Sequence, residues 1–163
     1  MKKIVLIAVV IINSQLAGAQ LKTTTACPVF KVDVLEGKLN DDLSAKSTMG
    51  EIKKFFPCYS EMVETDAGKK CAGIFYKDKG IDFYTERDYI EITQNFKGKL
   101  SLPLMGAGRN TLFKWLGYPK IKDASWDAFQ TKYGTLILYY SKANKIIKLQ
   151  LSSKSTDTIK LCE

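Results

Sequence analysis

The sequence predicts an α+β protein in which two similar units, each a short helix followed by an antiparallel meander, form one antiparallel sheet with helices on one face. Three observations indicate this. Short alternating segments between turn residues predict strands, and two apolar segments have helical spacing. The apolar positions of the second helix also repeat those of the first at an offset of 60 residues. Because one helix and one meander would be only marginally stable alone, we expect both units to form a single domain over residues 20–163.

The N-terminus has the pattern of a secretory signal peptide over residues 1–19. Two lysines precede an apolar run at residues 4–12, and small residues at 17–19 fit a cleavage site. The run is shorter than the roughly 20 apolar residues that a membrane-spanning helix needs. Residue 19 is Ala rather than Cys, which argues against a lipid anchor. We therefore expect an exported protein, periplasmic or secreted.

The first unit is expected over residues 43–98, after an alternating edge strand at residues 29–35. Ser47 or Thr48 is placed as the N-cap of a short helix that Pro57 ends. Four strands should follow, at residues 58–63, 71–76, 80–84 and 89–96.

The second unit is expected over residues 102–153. A helix carrying Leu112, Trp115 and Leu116 follows a Gly-Ala-Gly turn, and Gly117-Tyr118-Pro119 ends it. Without a third glycine or a βαβ context, the Gly-Ala-Gly segment indicates a helix entry rather than a dinucleotide site. Strands follow at residues 135–140 and 145–152. In the last one Ile147, Leu149 and Leu151 should point to one side, and Lys148 and Gln150 to the other.

Four cysteines in the exported part of the chain predict two disulfides, which is typical of an oxidising compartment. Three pairings are possible. We favour Cys58–Cys71, which closes a local loop between two predicted strands, and Cys27–Cys162, which ties the chain ends together. The alternative of a metal site is disfavoured because the chain has no histidine and no CxxC pair.

The composition excludes the common catalytic arrangements. Without histidine there is no Ser–His or Cys–His pair, and neither Ser-x-x-Lys nor Gly-x-Ser-x-Gly occurs. Glu51, Asp82 and Glu91 are the carboxylates left for acid–base chemistry. Acids interspersed with lysines are more typical of a solvated surface, so we expect a protein that is not an enzyme and that uses no cofactor or metal.

The charge is concentrated in the last third of the sequence. The formal net charge of +8 falls to +6 without Lys2 and Lys3. Residues 20–108 hold 13 basic and 13 acidic residues, whereas residues 109–163 hold 10 basic and 4 acidic ones. This asymmetry predicts a protein partner with an acidic surface. Only two basic residues are Arg, which argues against nucleic acid, whose sites favour Arg.

The same basic third carries the residue types that dominate protein–protein hot spots. Trp115 is expected in the core, whereas Trp126, in a polar connection, is the expected aromatic anchor. Tyr139 and Tyr140 are neighbours on a strand, so one of them should face the core, and the sequence leaves open which one. The predicted partner-binding residues are Arg109, Tyr118, Trp126, Tyr139, Tyr140, Lys145 and Lys148.

The repeated helix and meander, carried by residues 48–57 with 76–92 and 108–119 with 133–151, resembles the β-lactamase inhibitor protein fold. It is also similar to small envelope proteins and toxin-immunity proteins that reuse this unit. The first copy departs from the pattern, since Phe56-Pro57 replaces the Gly-x-Pro of the second. The resemblance implies stoichiometric protein binding, commonly inhibition, and assigns no binding residue.

These observations lead to one functional hypothesis and one alternative. The hypothesis is an exported protein-binding inhibitor, an immunity protein that neutralises a secreted bacterial effector or hydrolase. The alternative is a non-catalytic structural or assembly component of the cell envelope.

Overall fold

The computed structural model describes residues 26–64 and 71–162, so the predicted signal peptide lies outside the described residues. This part of the chain is mostly β, with twelve strands in two sheets and two short α-helices. The expected α+β class, with two helix-plus-meander units in one sheet, is therefore wrong. The physical reason is that most apolar residues are used in strands, and the second helix is a single turn.

No helix among the described residues has the length and apolar character that crossing a membrane requires.

The helices and strands are short. A 3-10 turn at Arg109–Thr111 precedes the second helix. The helices are α1 (Met49–Phe55) and α2 (Phe113–Leu116), and the strands are β1 (Lys31–Asp33), β2 (Lys38–Leu39), β3 (Leu43–Ser44), β4 (Glu61–Val63), β5 (Gly73–Tyr76), β6 (Ile81–Tyr84), β7 (Tyr89–Thr93), β8 (Lys99–Leu100), β9 (Ile121–Lys122), β10 (Trp126–Thr131), β11 (Gly134–Tyr140) and β12 (Ile146–Ser152).

The large sheet consists of two antiparallel meanders joined at their last strands. Its order is β4-β5-β6-β7-β12-β11-β10-β9, and β7 pairs with β12. The inner face, which includes Ile90, Ile92, Leu149 and Leu151, packs into one hydrophobic core. Each meander thereby covers an edge that the other would leave exposed.

A smaller sheet of order β3-β2-β1-β8 joins three strands within residues 31–44 to β8. The predicted edge strand at residues 29–35 contains β1, but the second sheet that it forms was not predicted. β1 pairs antiparallel with β2 and parallel with β8. Three of its strands have only two residues, too few for an alternating pattern to be detected.

Helix α1 begins at Thr48 with a capping box. The Thr48 side chain accepts the Glu51 N–H at 3.3 Å, and the Glu51 carboxylate accepts the Thr48 N–H at 2.8 Å. The predicted N-cap is confirmed at Thr48. After the helix, the ring of Phe56 stacks on Phe30 at 4.0 Å, and the Phe56 carbonyl accepts the Tyr76 hydroxyl at 2.6 Å. These contacts anchor α1 on the core side of β5.

Helix α2 differs from α1 in its capping and in the burial of its apolar residues. Gly108, which precedes the 3-10 turn, has no side chain to cap it, whereas Thr48 and Glu51 stabilise the start of α1. Leu112 is buried, but Trp115 is only partly buried against the core. Gly117 ends the helix at φ +68°, in the left-handed region that favours glycine.

The two disulfides join Cys27 to Cys58 and Cys71 to Cys162, so the expected pairing of Cys58–Cys71 and Cys27–Cys162 is wrong. Cys71 instead meets the end of the chain, which returns across the large sheet. Closeness in sequence therefore misled the prediction, although the presence of two disulfides is confirmed. Two disulfides indicate an oxidising environment, extracellular or periplasmic.

Candidate binding surfaces

Arg109 and Tyr140, two of the predicted binding residues, are tied to a buried carboxylate. Arg109 donates to Asp127 from Nη2 and from Nε, the latter at 2.9 Å, and the Tyr140 hydroxyl donates to Asp127 at 2.8 Å. The Arg109 and Asp127 side chains are 15% and 4% exposed. Burial and the hydrogen bond to Asp127 raise the pKa of Tyr140, so its hydroxyl stays a donor. Both predicted binding residues therefore form hydrogen bonds within the fold.

The Arg109 guanidinium also shapes the loop before β10. Its Nη2 donates to the carbonyl of Asp123 at 2.6 Å, and its Nη1 donates to that of Ala124 at 3.2 Å. The guanidinium lies 4.7 Å from the centre of the Tyr140 ring. The Asp127 hydrogen bond is the main reason that the pKa of Arg109 is raised. This network fixes the start of β10 against the 3-10 turn.

The outer face of the large sheet, opposite the core, has one polar half and one apolar half. A row of directly paired residues crosses it, and cross-strand neighbours of this kind lie about 5 Å apart. The first meander contributes three carboxylates to the row and the second contributes mainly apolar side chains. In strand order the row is Glu61, Phe75, Asp82, Glu91, Gln150, Ile137, Ala128 and Ile121.

The C-terminal segment, residues 153–162, crosses this outer face, and we call it the strap. At its start, the Thr156 N–H donates to Gln130 Oε1 on β10 at 3.0 Å. At its end, the Cys162 N–H donates to the Tyr89 hydroxyl on β7 at 3.2 Å, and the disulfide joins Cys162 to Cys71. The strap is therefore held at both ends.

Between the strap and the second meander lies a cavity of about 530 Å³, which we call the strap groove. Its sheet side is formed by Ile121, Trp126, Ala128, Ile137 and Tyr139. The strap contributes Thr156, Ile159, Lys160 and Leu161, and Arg87 enters from the turn between β6 and β7. Two predicted binding residues thus line a groove rather than an open surface.

A polar cluster on the outer face uses Tyr139 and Lys148, two more predicted binding residues. The Tyr139 hydroxyl donates to Gln150 at 2.8 Å, and Gln150 donates to Glu91 at 2.7 Å. Lys148 contacts Glu91 at 3.2 Å and lies 4.2 Å from the centre of the Tyr139 ring. Burial, and then the charge of Glu91, raises the pKa of Tyr139. The charge of Lys148 is thereby balanced within the sheet.

The most exposed aromatic residues lie beside α2. Tyr118 is 84% exposed and Phe113 is 57% exposed, and their ring centres are 4.6 Å apart. Lys114 lies 4.3 Å from the centre of the Trp115 ring, and Lys122 is exposed beside Phe113 and Tyr118. We call Phe113, Tyr118, Lys114 and Lys122 the aromatic patch.

The predicted binding residues therefore do not form one site. Tyr118 is in the aromatic patch, Trp126 and Tyr139 line the strap groove, and Lys145 is exposed in the β11–β12 connection. The sequence prediction missed Phe113, Arg87 and the strap. The exposure of Phe113 could have been predicted, because Phe113 lies off the apolar helix face that Leu112 and Leu116 share. The packing of the strap could also have been predicted, because Ile159 and Leu161 alternate with polar residues there.

Of the three carboxylates considered for acid–base chemistry, only two lie next to each other. Glu51 belongs to the capping box, while Asp82 and Glu91 pair directly across β6 and β7. Burial raises the pKa of Asp82, and Glu91 adds to this, whereas the Tyr76 N–H bonded to Asp82 acts against it. Within residues 26–64 and 71–162, no group of three potential ligands could hold a metal ion.

Comparisons of the chain with protein-family models, with curated proteins and with solved structures find no match. The resemblance to β-lactamase inhibitor proteins thus stays a prediction from short motifs.

Proposed function

We propose that this protein is an exported inhibitor, an immunity protein that binds a secreted effector or hydrolase through the aromatic patch. The observation that carries the proposal is the pair of neighbouring, solvent-exposed rings of Phe113 and Tyr118, which lie tilted at 56° to each other. Contiguous exposed apolar surface marks interaction sites, and tyrosine is enriched in interface hot spots.

The backbone around Tyr118 favours binding at low entropic cost. Tyr118 lies between Gly117, which ends α2, and Pro119, whose ring restricts its backbone. Lys120 then donates to the carbonyl of Ala128, which ties the segment to β10. A segment held in this way loses little backbone freedom when a partner covers it.

Charge supports an acidic surface on the partner. Lys114 and Lys122 flank the exposed rings, and no acidic residue lines the cavity beside them except Asp127, whose charge Arg109 balances. Lysines at the rim of an interface mainly accelerate association, while buried aromatic residues mainly slow dissociation.

Affinity capture from periplasmic extract and from culture medium tests the proposal. The mature protein should retain a specific protein, and a stoichiometric amount should abolish that protein's activity. The double variant Phe113→Ala, Tyr118→Ala should lose it. Tyr133→Ala is the matched control, because Tyr133 is an exposed tyrosine in the β10–β11 turn, and it should retain the partner.

Two outcomes would contradict the proposal. Capture of the same protein by the wild type and by the double variant would exclude the aromatic patch. Capture of an envelope protein whose activity is unchanged would favour the alternative, a structural or assembly component.

A further inference from the structure

We propose that the strap groove binds a small amphiphile with an unbranched apolar chain and an anionic head group, namely a long-chain carboxylate. The inference is independent of the proposed function, because the groove and the aromatic patch are different surfaces. It rests on the apolar lining of the groove, on its positive charge and on its size and rigidity.

The floor of the groove matches an apolar chain. Ile121, Ala128 and Ile137 lie side by side in the cross-strand row. Because Ala128 is the smallest of the three, the floor is deepest at the centre. Trp126 and Tyr139 pair across β10 and β11 next to this floor, and Ile159 and Leu161 face it from the strap. Ala128 and Ile137 are already covered, at 2% and 3% exposed. The apolar surface that a ligand would cover therefore belongs mainly to the other lining residues, and its burial contributes roughly 25 cal/mol per Å²; these residues are Ile121, Trp126, Ile159 and Leu161.

The charges of the groove match an anion. Arg87 and Lys160 line it, and no carboxylate of residues 26–64 and 71–162 does. The Arg87 Nε–H is shielded from solvent and has no hydrogen-bond partner in the part of the chain that the structure describes. A covered donor on a charged group is costly when unpaired, and a carboxylate is the acceptor that a guanidinium binds best. An anionic head group in the groove would pair with the Arg87 guanidinium.

The size and rigidity of the groove favour a small ligand. Its volume of about 530 Å³ lies within the range of roughly 300–1,000 Å³ that small-molecule sites occupy. The Cys71–Cys162 disulfide and the Thr156–Gln130 hydrogen bond hold the strap in place without a ligand. A site formed in advance avoids the cost of ordering it on binding.

Calorimetric titration of the mature protein with dodecanoate, below the concentration at which it self-associates, tests the inference. We expect saturable binding of one molecule. Dodecan-1-ol, which keeps the chain and lacks the charge, should bind at least about tenfold more weakly. Butanoate, which keeps the charge and lacks the chain, should not bind measurably.

Variants locate the site. Arg87→Gln should weaken dodecanoate binding about tenfold or more, and Ala128→Leu should abolish it by filling the floor. Lys142→Gln, which removes a lysine outside the groove, and Tyr118→Ala, in the aromatic patch, should leave binding unchanged. Absence of saturable dodecanoate binding, equal binding of dodecan-1-ol, or no effect of Arg87→Gln would overturn the inference.

Discussion

At the scale of single residues, the buried carboxylate of Asp127 organises the polar contacts at one end of the core. It accepts hydrogen bonds from Arg109 and Tyr140, and it lies on β10 opposite Leu138. A buried charge pair contributes little net stability while it is intact. Removal of one partner is strongly destabilising, because it leaves the other charge buried and uncompensated. The pair is therefore a sensitive point of the fold.

Asp127→Ala should lower the free energy of unfolding by about 3–5 kcal/mol, because Arg109 then stays largely buried without its carboxylate. Urea denaturation measures the change. Asp157→Ala is the control, since its ion pair with Lys120 is exposed and should contribute less than about 1 kcal/mol. Equal midpoints for the two variants would contradict the role assigned to Asp127.

Asp82 gives a pH-dependent prediction. Burial raises its pKa in the folded state above the value of 3.8 for an unperturbed side chain, so the folded chain holds this proton more tightly than the unfolded chain. The protonated Asp82 carboxyl therefore stabilises the fold. This contribution is complete below the pKa of Asp82 in the unfolded chain, and it is lost as pH rises through the pKa in the folded chain. Asp82→Asn keeps the acceptor for the Tyr76 N–H and removes the buried charge.

The melting temperature of Asp82→Asn should thus exceed that of the wild type at pH 7, by about 1–3 °C, and the difference should disappear near pH 3. Thermal unfolding at both pH values measures this. A lower melting temperature of the variant at pH 7 would show that the charged carboxylate is favourable in the fold.

At the scale of elements, the strap is the part of the fold most dependent on a covalent link. The Cys71–Cys162 disulfide spans 91 residues and Cys27–Cys58 spans 31. In the chain-entropy model these loops correspond to about 4.6 and about 3.7 kcal/mol. Beyond this difference, loss of Cys71–Cys162 also frees one end of the strap.

Replacement of Cys71 and Cys162 by Ser should therefore destabilise the protein more than replacement of Cys27 and Cys58. It should also weaken dodecanoate binding, whereas the Cys27 and Cys58 variant should bind normally. Urea denaturation and calorimetry measure the two effects. A larger loss of stability in the Cys27 and Cys58 variant would contradict this ranking.

Much of the large sheet could be predicted from the sequence, because its longer strands carry a readable pattern. Ile90 with Ile92, and Leu149 with Leu151, alternate with polar residues and enter the core. The bulge between Tyr139 and Tyr140 could not be predicted. It places Ile146 in the core and leaves Ile147, which was expected on the same side as Leu149 and Leu151, 37% exposed.

The candidate site was harder to predict, because exposure depends on elements distant in sequence. Trp126 was the expected anchor, but the strap returns over β10 and half-buries it. Tyr118 has no such cover and is the more accessible of the two. Likewise, Tyr140 faces the core and Tyr139 faces outwards, a choice that depends on the register of β11.

At the scale of the whole molecule, the basic last third does not form one basic face. Lys148 pairs with Glu91, and Lys154 pairs with Asp88, so carboxylates of the first meander balance part of this charge across the β7–β12 junction. Lysines near α2, such as Lys114 and Lys122, have no such acidic partner among the described residues. The aromatic patch is therefore where positive charge and exposed aromatic surface coincide.

The most direct test of this account is the affinity of the captured partner for Tyr118→Ala and Trp126→Ala, measured by surface plasmon resonance. Because the account places Tyr118 at the centre of the interface, Tyr118→Ala should cost about 2 kcal/mol or more, mainly through faster dissociation. Trp126→Ala, in the strap groove, should have a smaller effect. Unchanged affinity for Tyr118→Ala, with a large loss for Trp126→Ala, would contradict the account and place the interface at the strap.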